Sequence, residues 1–219
     1  MLTLKVLSLL LSYPGAETLA ALDEMAAVVN DENLLPAADQ DAVLALIDSH
    51  RNKDLLELQE NYVALFDRGR YLSLHIFEHV HGESRDRGQA MVDLLQMYEA
   101  SGFAMAAREL PDYIPLFLEF LSLQTPAKAV ELLQDAMPVL SLLGARLSER
   151  CSGFQAVFDA LAGFAGEPEA LAVVGLEAGI GRRLTPVVGD GREVAMVDGQ
   201  RVARVGVRVE SVRERDEGG

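Results

Sequence analysis

The chain has 219 residues, half of them hydrophobic, with 19 basic against 34 acidic side chains and a formal net charge of −15. That composition builds a core for one domain, or one domain with an appendage, while the charge keeps its surface wet. The acidity excludes nucleic-acid binding by the ordinary route, in which basic side chains neutralise phosphates. The one cysteine, Cys151, excludes an internal disulfide and a paired-cysteine metal knuckle, so a reducing cytoplasm is the expected compartment.

The opening MLTLKVLSLLLSYPGA reads as an amphipathic helix and not as a signal peptide. Lys5, Ser8 and Ser12 share one helical face, and Leu2, Val6, Leu9 and Leu10 take the other. No later apolar run approaches the ~18 residues of a membrane span. Tyr13-Pro14-Gly15 stops this helix. A second is expected over Glu17 to Val29, with Pro36 closing the loop after it, and a third over Asp39 to His50. Asp54 can cap a fourth, whose apolar face is Leu55, Leu58, Tyr62, Leu65 and Phe66. Asp67-Arg68-Gly69-Arg70 ends it.

Tyr71 to Val80 is mostly apolar and reads as helix up to the break at His81-Gly82. Ser84 caps a helix that turns Met91, Leu94, Leu95 and Tyr98 inward and ends at Gly102. Pro111 and Pro115 flank Asp112, Tyr113 and Ile114, and Leu116 to Leu121 continue as helix. Thr125-Pro126 starts a long helix to about Arg150, with a kink expected at Pro138. Ser152 caps the last one, on which Phe154, Val157, Phe158, Leu161 and Phe164 are spaced to pack.

Beyond Gly166 the composition changes, and residues 175–219 hold nine of the 18 glycines. Val205, Val207 and Val209 alternate with Gly206 and Arg208, and Asp198-Gly199 is a hairpin turn signal. Residues 180–219 carry eight basic against seven acidic side chains, whereas the first 179 carry 11 against 27. The acidity therefore belongs to the helical body. The expectation is an all-α domain over residues 1–166 with a variable, weakly structured tail over 167–219, either a β-hairpin or disordered.

The densest chemistry lies between Leu65 and Leu95. His75, His79 and His81 are three of the four histidines, and Arg68, Arg70, Arg85 and Arg87 surround two copies of Asp-Arg-Gly. Three readings compete. His75 and His79 at i, i+4, with His81 and Glu78 or Glu83, can be drawn as the ligands of a metal-dependent hydrolase. The arginines can instead pair with Asp67, Glu83 and Asp86 while the histidines satisfy backbone groups. The third reading fits the charge balance better: these side chains line a groove that reads a peptide, and the acidic surface speeds the encounter with a basic or amphipathic partner. No HExxH, GxSxG or phosphate-binding glycine loop points to catalysis.

The run FDRGRYLSLHIFEHVHGESRDRGQAMVDLL, followed by Glu109-Leu110-Pro111-Asp112-Tyr113 and PLFLEFLS, resembles the NarJ-type assembly chaperones of respiratory nitrate reductase, often called its delta subunit. These belong to the wider TorD-like, all-helical chaperones of molybdenum oxidoreductases. The likeness spans about residues 4–165.

It implies a cytoplasmic chaperone and not an enzyme. Such a chaperone binds the N-terminal segment of the apo catalytic (alpha) subunit, assists molybdenum cofactor insertion without keeping the cofactor, helps the apo alpha-beta complex assemble, and is absent from the mature enzyme. A chaperone for another molybdenum oxidoreductase is the alternative within the same class. Carried across by resemblance, Tyr62 and Phe66 form the apolar wall of the peptide groove. His79, His81, Glu83, Arg85, Asp86 and Arg87 form the signature loop, and Glu109, Pro111, Asp112 and Tyr113 the second motif. For Tyr62 and Phe66 plain core is the competing reading, and for the Arg and Asp residues it is loop-fixing salt bridges.

Two departures from the family pattern stand out. Tyr113 occupies a place that is commonly histidine, and a phenol cannot take on positive charge. The family's acidic, Trp-Glu-Glu-like tail is missing from this tryptophan-free chain, as expected of a diverged tail or of a reading-frame shift after about Pro168.

Overall fold

Residues 1–82, 84–105 and 109–166 are described by the structure, a computed structural model, and they are all-α. In chain order the helices are α1 (Leu2–Leu10), α2 (Ala16–Ala20), α3 (Leu22–Glu32), α4 (Ala37–Arg51), α5 (Leu55–Tyr62), α6 (Ile76–Val80), α7 (Asp86–Ala100), α8 (Ile114–Ser122), α9 (Pro126–Ser148) and α10 (Gln155–Ala165). A π-helical turn, Val63–Asp67, extends α5, and a 3-10 turn covers Arg70–Leu72. The expected tail over 167–219, with its hairpin, lies outside the described residues, as does Glu83.

The core is arranged around α8. Every residue from Ile114 to Ser122 is buried, so this helix is enclosed on all sides, with α1 against one flank and α9 against another. Phe117, Leu118 and Leu121 are fully inaccessible, and each such side chain contributes about 1.5–3 kcal/mol of burial. Helix α10 lies along both α9 and α4, and α3 bridges α1 and α4.

Several start and stop signals act as expected. Asp54 accepts the Glu57 N–H at 2.8 Å and caps α5, and Thr125 accepts the Lys128 N–H at 3.4 Å with Pro126 in the first turn of α9. Gly102 ends α7 at φ +74° and Gly166 ends α10 at φ +77°, conformations that glycine adopts without a Cβ clash.

Three expectations are corrected. The helix expected over 17–29 is broken at Ala21, because α3 turns Leu22, Met25 and Val29 into the core whereas α2 buries nothing. The buried face of α1 is Leu4, Leu7 and Leu10 with Thr3, Val6 and Ser8, while Leu2 is exposed. Ser8 is inside because its hydroxyl donates to the Pro115 carbonyl at 2.6 Å, and Lys5 reaches Glu119 on α8. The N-terminus of α1 is capped from a distance, since Glu32 accepts from the Leu2 and Thr3 N–H groups at 2.8 and 2.7 Å.

The third correction concerns the informative segment. Tyr71 to Val80 is not one helix. After the 3-10 turn the chain extends through Ser73–His75, forms an isolated antiparallel bridge between His75 and Tyr113, and only then enters the short α6. The reason is tertiary: the Ile114 N–H donates to Leu74 O at 2.8 Å and the Ile76 N–H donates to Asp112 O at 3.0 Å.

Candidate functional site

The bridge holds the site together, and Asp112 is its centre. This carboxylate is fully buried, accepts the Phe77 N–H at 3.0 Å through Oδ2, and meets His75 Nδ1 at 3.1 Å through Oδ1. Arg87 of α7 reaches over it, 4.0 Å from Oδ2, and pairs with Glu78 of α6 at 3.3 Å. Tyr98, also fully buried, donates its hydroxyl to Pro111 O at 2.9 Å and fixes the loop from below. The hydrogen bond to Asp112 raises the His75 pKa against the opposing effect of burial. Burial acts to raise the Glu78 carboxyl, but hydrogen bonding from Ser73 and the charges of Arg87 and His75 outweigh it and hold the group below its ordinary range.

Two clefts open on either side of the Glu78–Arg87 pair, and Glu78 lines both. The first, of about 480 Å³, is walled by Tyr13, Tyr62, Phe66 and Tyr113 and rimmed by Asp67 and Glu109. The second, of about 850 Å³, has an apolar wall of Met91, Val92, Leu95, Leu110 and Pro111 beside Arg85 and Arg87. Val92 and Leu110 are 47% and 45% exposed, which places uncovered apolar surface in a concave site.

The structure therefore gathers Tyr62, Phe66, Glu109 and Tyr113 in one cleft and Arg85, Arg87 and Pro111 in the other. Tyr62 and Phe66 are each more than nine-tenths buried. Asp112 lies beneath the clefts and acts on them through His75, Phe77 and Arg87. His79, His81 and Asp86 line neither cleft. His79 Nε2 donates to Ser73 O at 2.8 Å, its Nδ1 faces Arg146 of α9, and its pKa is lowered first by burial and then by the Arg146 charge. His81 rests against the Phe77 ring, and Asp86 accepts from the Ser84 hydroxyl.

Among the described residues the carboxylates that Arg87 meets are Glu78 and Asp112, neither of them in the expected set, while the expected partner Glu83 lies outside those residues. Of the residues drawn as metal ligands, His75 engages Asp112 through Nδ1 and His79 the Ser73 carbonyl through Nε2, Glu83 lies outside the described residues, and no group of three or more His, Cys, Asp or Glu among the described residues is arranged to hold an ion. Tyr13, Glu78, Val92 and Leu110 also line the clefts and were not among the expected site residues. An exposed tyrosine in a helix stop and an apolar residue between two polar motifs were the available signals, and both are weak because spacing along the chain does not show concavity.

The family model described as "Nitrate reductase delta subunit" matches residues 16–159. The chain belongs to this family. Its relatives include the nitrate reductase molybdenum cofactor assembly chaperone NarJ of Escherichia coli (strain K12), 47% identical over 161 residues that cover 74% of this chain and 68% of that protein. The probable chaperone NarW of the same strain is 44% identical over 165 residues, with the same coverage of both chains. The probable NarJ of Bacillus subtilis (strain 168) is 30% identical over 151 residues, 69% of this chain and 81% of that one. The family match spans α2 to α9 and reaches into α10, so it takes in Asp112 and the lining of both clefts except Tyr13. Among the described residues no helix of this family member is long and apolar enough to cross a membrane.

Proposed function

We propose that this chain is a cytoplasmic, system-specific chaperone of respiratory nitrate reductase. It holds the N-terminal segment of the apo catalytic subunit in the paired clefts, promotes molybdenum cofactor insertion and assembly of the apo alpha-beta complex, and leaves the mature enzyme. It is not itself an enzyme. Residues 1–166 are the chaperone domain and 167–219 a variable tail.

The observation that carries this reading is the second cleft, with uncovered Val92 and Leu110 against a cationic edge, set beside an aromatic cleft rimmed by carboxylates. An amphipathic segment has the matching parts: apolar anchors for the exposed wall and charges for both rims. The net charge of −15 favours a basic segment and accelerates its arrival. The relatives' printed roles in molybdenum cofactor assembly supply the choice of partner. The cofactor is the partner's cargo.

Calorimetric titration of the folded protein with a synthetic peptide of the catalytic subunit's N-terminus tests the proposal. Saturable binding at micromolar concentration is expected. No heat change at tens of micromolar overturns it. Tighter binding of the leader peptide of another molybdenum oxidoreductase would reassign the partner.

A further inference from the structure

The first cleft has a composition that peptide holding in general does not require. Its walls are rings: Tyr13 meets Tyr62 edge-on with centroids 5.5 Å apart, Tyr62 meets Phe66 at 5.1 Å, and Tyr113 leans on His75 at 5.4 Å. Tyr13, at the stop of α1, is 54% exposed and stands at the mouth. Among the described residues Asp67, Glu78 and Glu109 line the same space beside Arg70 and His75, and Glu78 is already paired with Arg87.

The hydroxyls sharpen this. Tyr62 Oη lies 3.1 Å from Leu11 O and 3.0 Å from Tyr113 Oη. A carbonyl only accepts, so the one proton of Tyr62 goes to Leu11 and Tyr113 donates its proton to Tyr62. Both phenolic protons are then used inside the protein. What Tyr113 presents to the cleft is lone pairs. Burial raises the pKa of both phenols, so neither supplies a negative charge at neutral pH. The polar face offered by Tyr113 and the three carboxylates accepts and does not donate, and the apolar face is π-surface, whose negative quadrupole attracts a cation.

We propose that this cleft is a subsite for one cationic side chain, an arginine or lysine, of the bound segment. The cation sits against the Tyr13 and Tyr62 rings and donates to Glu109 and Tyr113. The subsite deepens the peptide-holding reading and rests on it, and it gives the two clefts separate tasks: the second takes apolar anchors and the first takes a charge. It also accounts for tyrosine at 113. A histidine there would add a second protonatable imidazole beside His75, whereas the phenol stays neutral and keeps its acceptor.

Two measurements test this. In the first, each Lys and Arg of the synthetic N-terminal peptide is replaced singly by uncharged citrulline, and affinities are measured for the wild-type protein and for the double variant Glu109→Gln, Tyr113→Phe. One replacement should weaken binding to the wild type by about tenfold and have no further effect on the double variant. If no position exceeds about threefold, or if the loss persists undiminished in the double variant, the subsite is wrong. Glu109 is exposed and Tyr113→Phe keeps the ring, so both changes leave the fold in place.

The second measurement does not need the peptide. Acetyl-argininamide is titrated while the tyrosine ring resonances are followed by NMR. Saturable shifts at Tyr13, Tyr62 and Tyr113, absent with acetyl-citrullinamide, are expected. Equal shifts with the uncharged probe, or shifts at Tyr71 or Tyr98 instead, overturn the proposal. A peptide that fails to bind in any form, with argininamide still shifting those three rings, sinks the partner assignment and leaves the cation subsite standing.

Discussion

His75 Nδ1 and the Asp112 carboxylate meet at 3.1 Å across 37 residues of sequence, where the extended segment before α6 forms a single bridge with the loop before α8. Asp112 has no exposed surface, and its other oxygen takes the Phe77 N–H. One side chain thereby joins the two motifs of the sequence and sets the wall between the clefts. Substituting Asp112→Ala leaves a buried N–H unmet and removes the partner of His75. A loss of about 2–3 kcal/mol is expected, read as a lower midpoint in thermal or urea unfolding. Peptide affinity should fall as well, because Arg87 loses one of the carboxylates that hold it. Unchanged stability would show that the clasp is not structural.

The histidines predict opposite pH trends. The folded-state pKa of His75 is raised by Asp112, so its stabilising contribution is fully present below its unfolded value near 6.5 and is lost as pH rises through the folded value. The stability gap between wild type and His75→Asn should be widest at pH 6 and narrow by pH 8. His50 behaves inversely. Burial lowers its pKa, and its ring N–H donates to Leu46 O at 2.8 Å, so its contribution is present above about 6.5 and declines as pH falls toward the folded value. For His50→Asn the gap should be widest at pH 8 and shrink on acidification. Denaturant midpoints for both variants across pH 5.5–8 provide the check.

Two glycines should respond in opposite directions to alanine. Gly163 lets α10 approach the start of α4 so closely that a Cβ there would lie 2.8 Å from Pro36 Cγ and against the Asp39 carboxylate. Gly163→Ala should destabilise by about 1–3 kcal/mol. Gly88 lies within α7 with nothing within 4 Å of an added Cβ, and Gly88→Ala should stabilise by about 0.5–1 kcal/mol through helix propensity. Melting temperatures that move the same way for both would contradict the packing described here.

Val92 and Leu110 are about half exposed, so a charge at either position meets water in the free protein. Val92→Glu and Leu110→Asp should leave the melting temperature within a degree or two while weakening the N-terminal peptide by about 10–100-fold, the equivalent of a lost apolar contact plus a charge forced into the interface. Full affinity in both variants would mean that the larger cleft is not the docking wall.

Much of the scaffold was legible because its causes are local. The Asp54 and Thr125 caps and the Gly102 stop act within one turn, so neighbours in sequence are sufficient to reveal them. The site was legible as a segment: seven of the residues singled out line the two clefts. Their division of labour was not. The choice between groove contact and loop fixing for Asp112 depends on its complete burial, and the fate of His79 depends on Arg146, which is 67 residues away.

By itself the sequence determined an all-helical body, an acidic surface, the region that carries the chemistry and the family to which the chain belongs. These follow from periodicity, composition and contiguous motifs, which are properties of a line of residues. Only the tertiary structure decided that Tyr71 to Val80 is not one helix, that Ser8 is buried while Leu2 is not, and that two motifs form two unlike clefts. The physical reason is common to all three. Backbone and hydroxyl groups gained partners from distant segments, Leu74 with Ile114, Ser8 with Pro115 and Phe77 with Asp112, and those bonds overrode the local pattern.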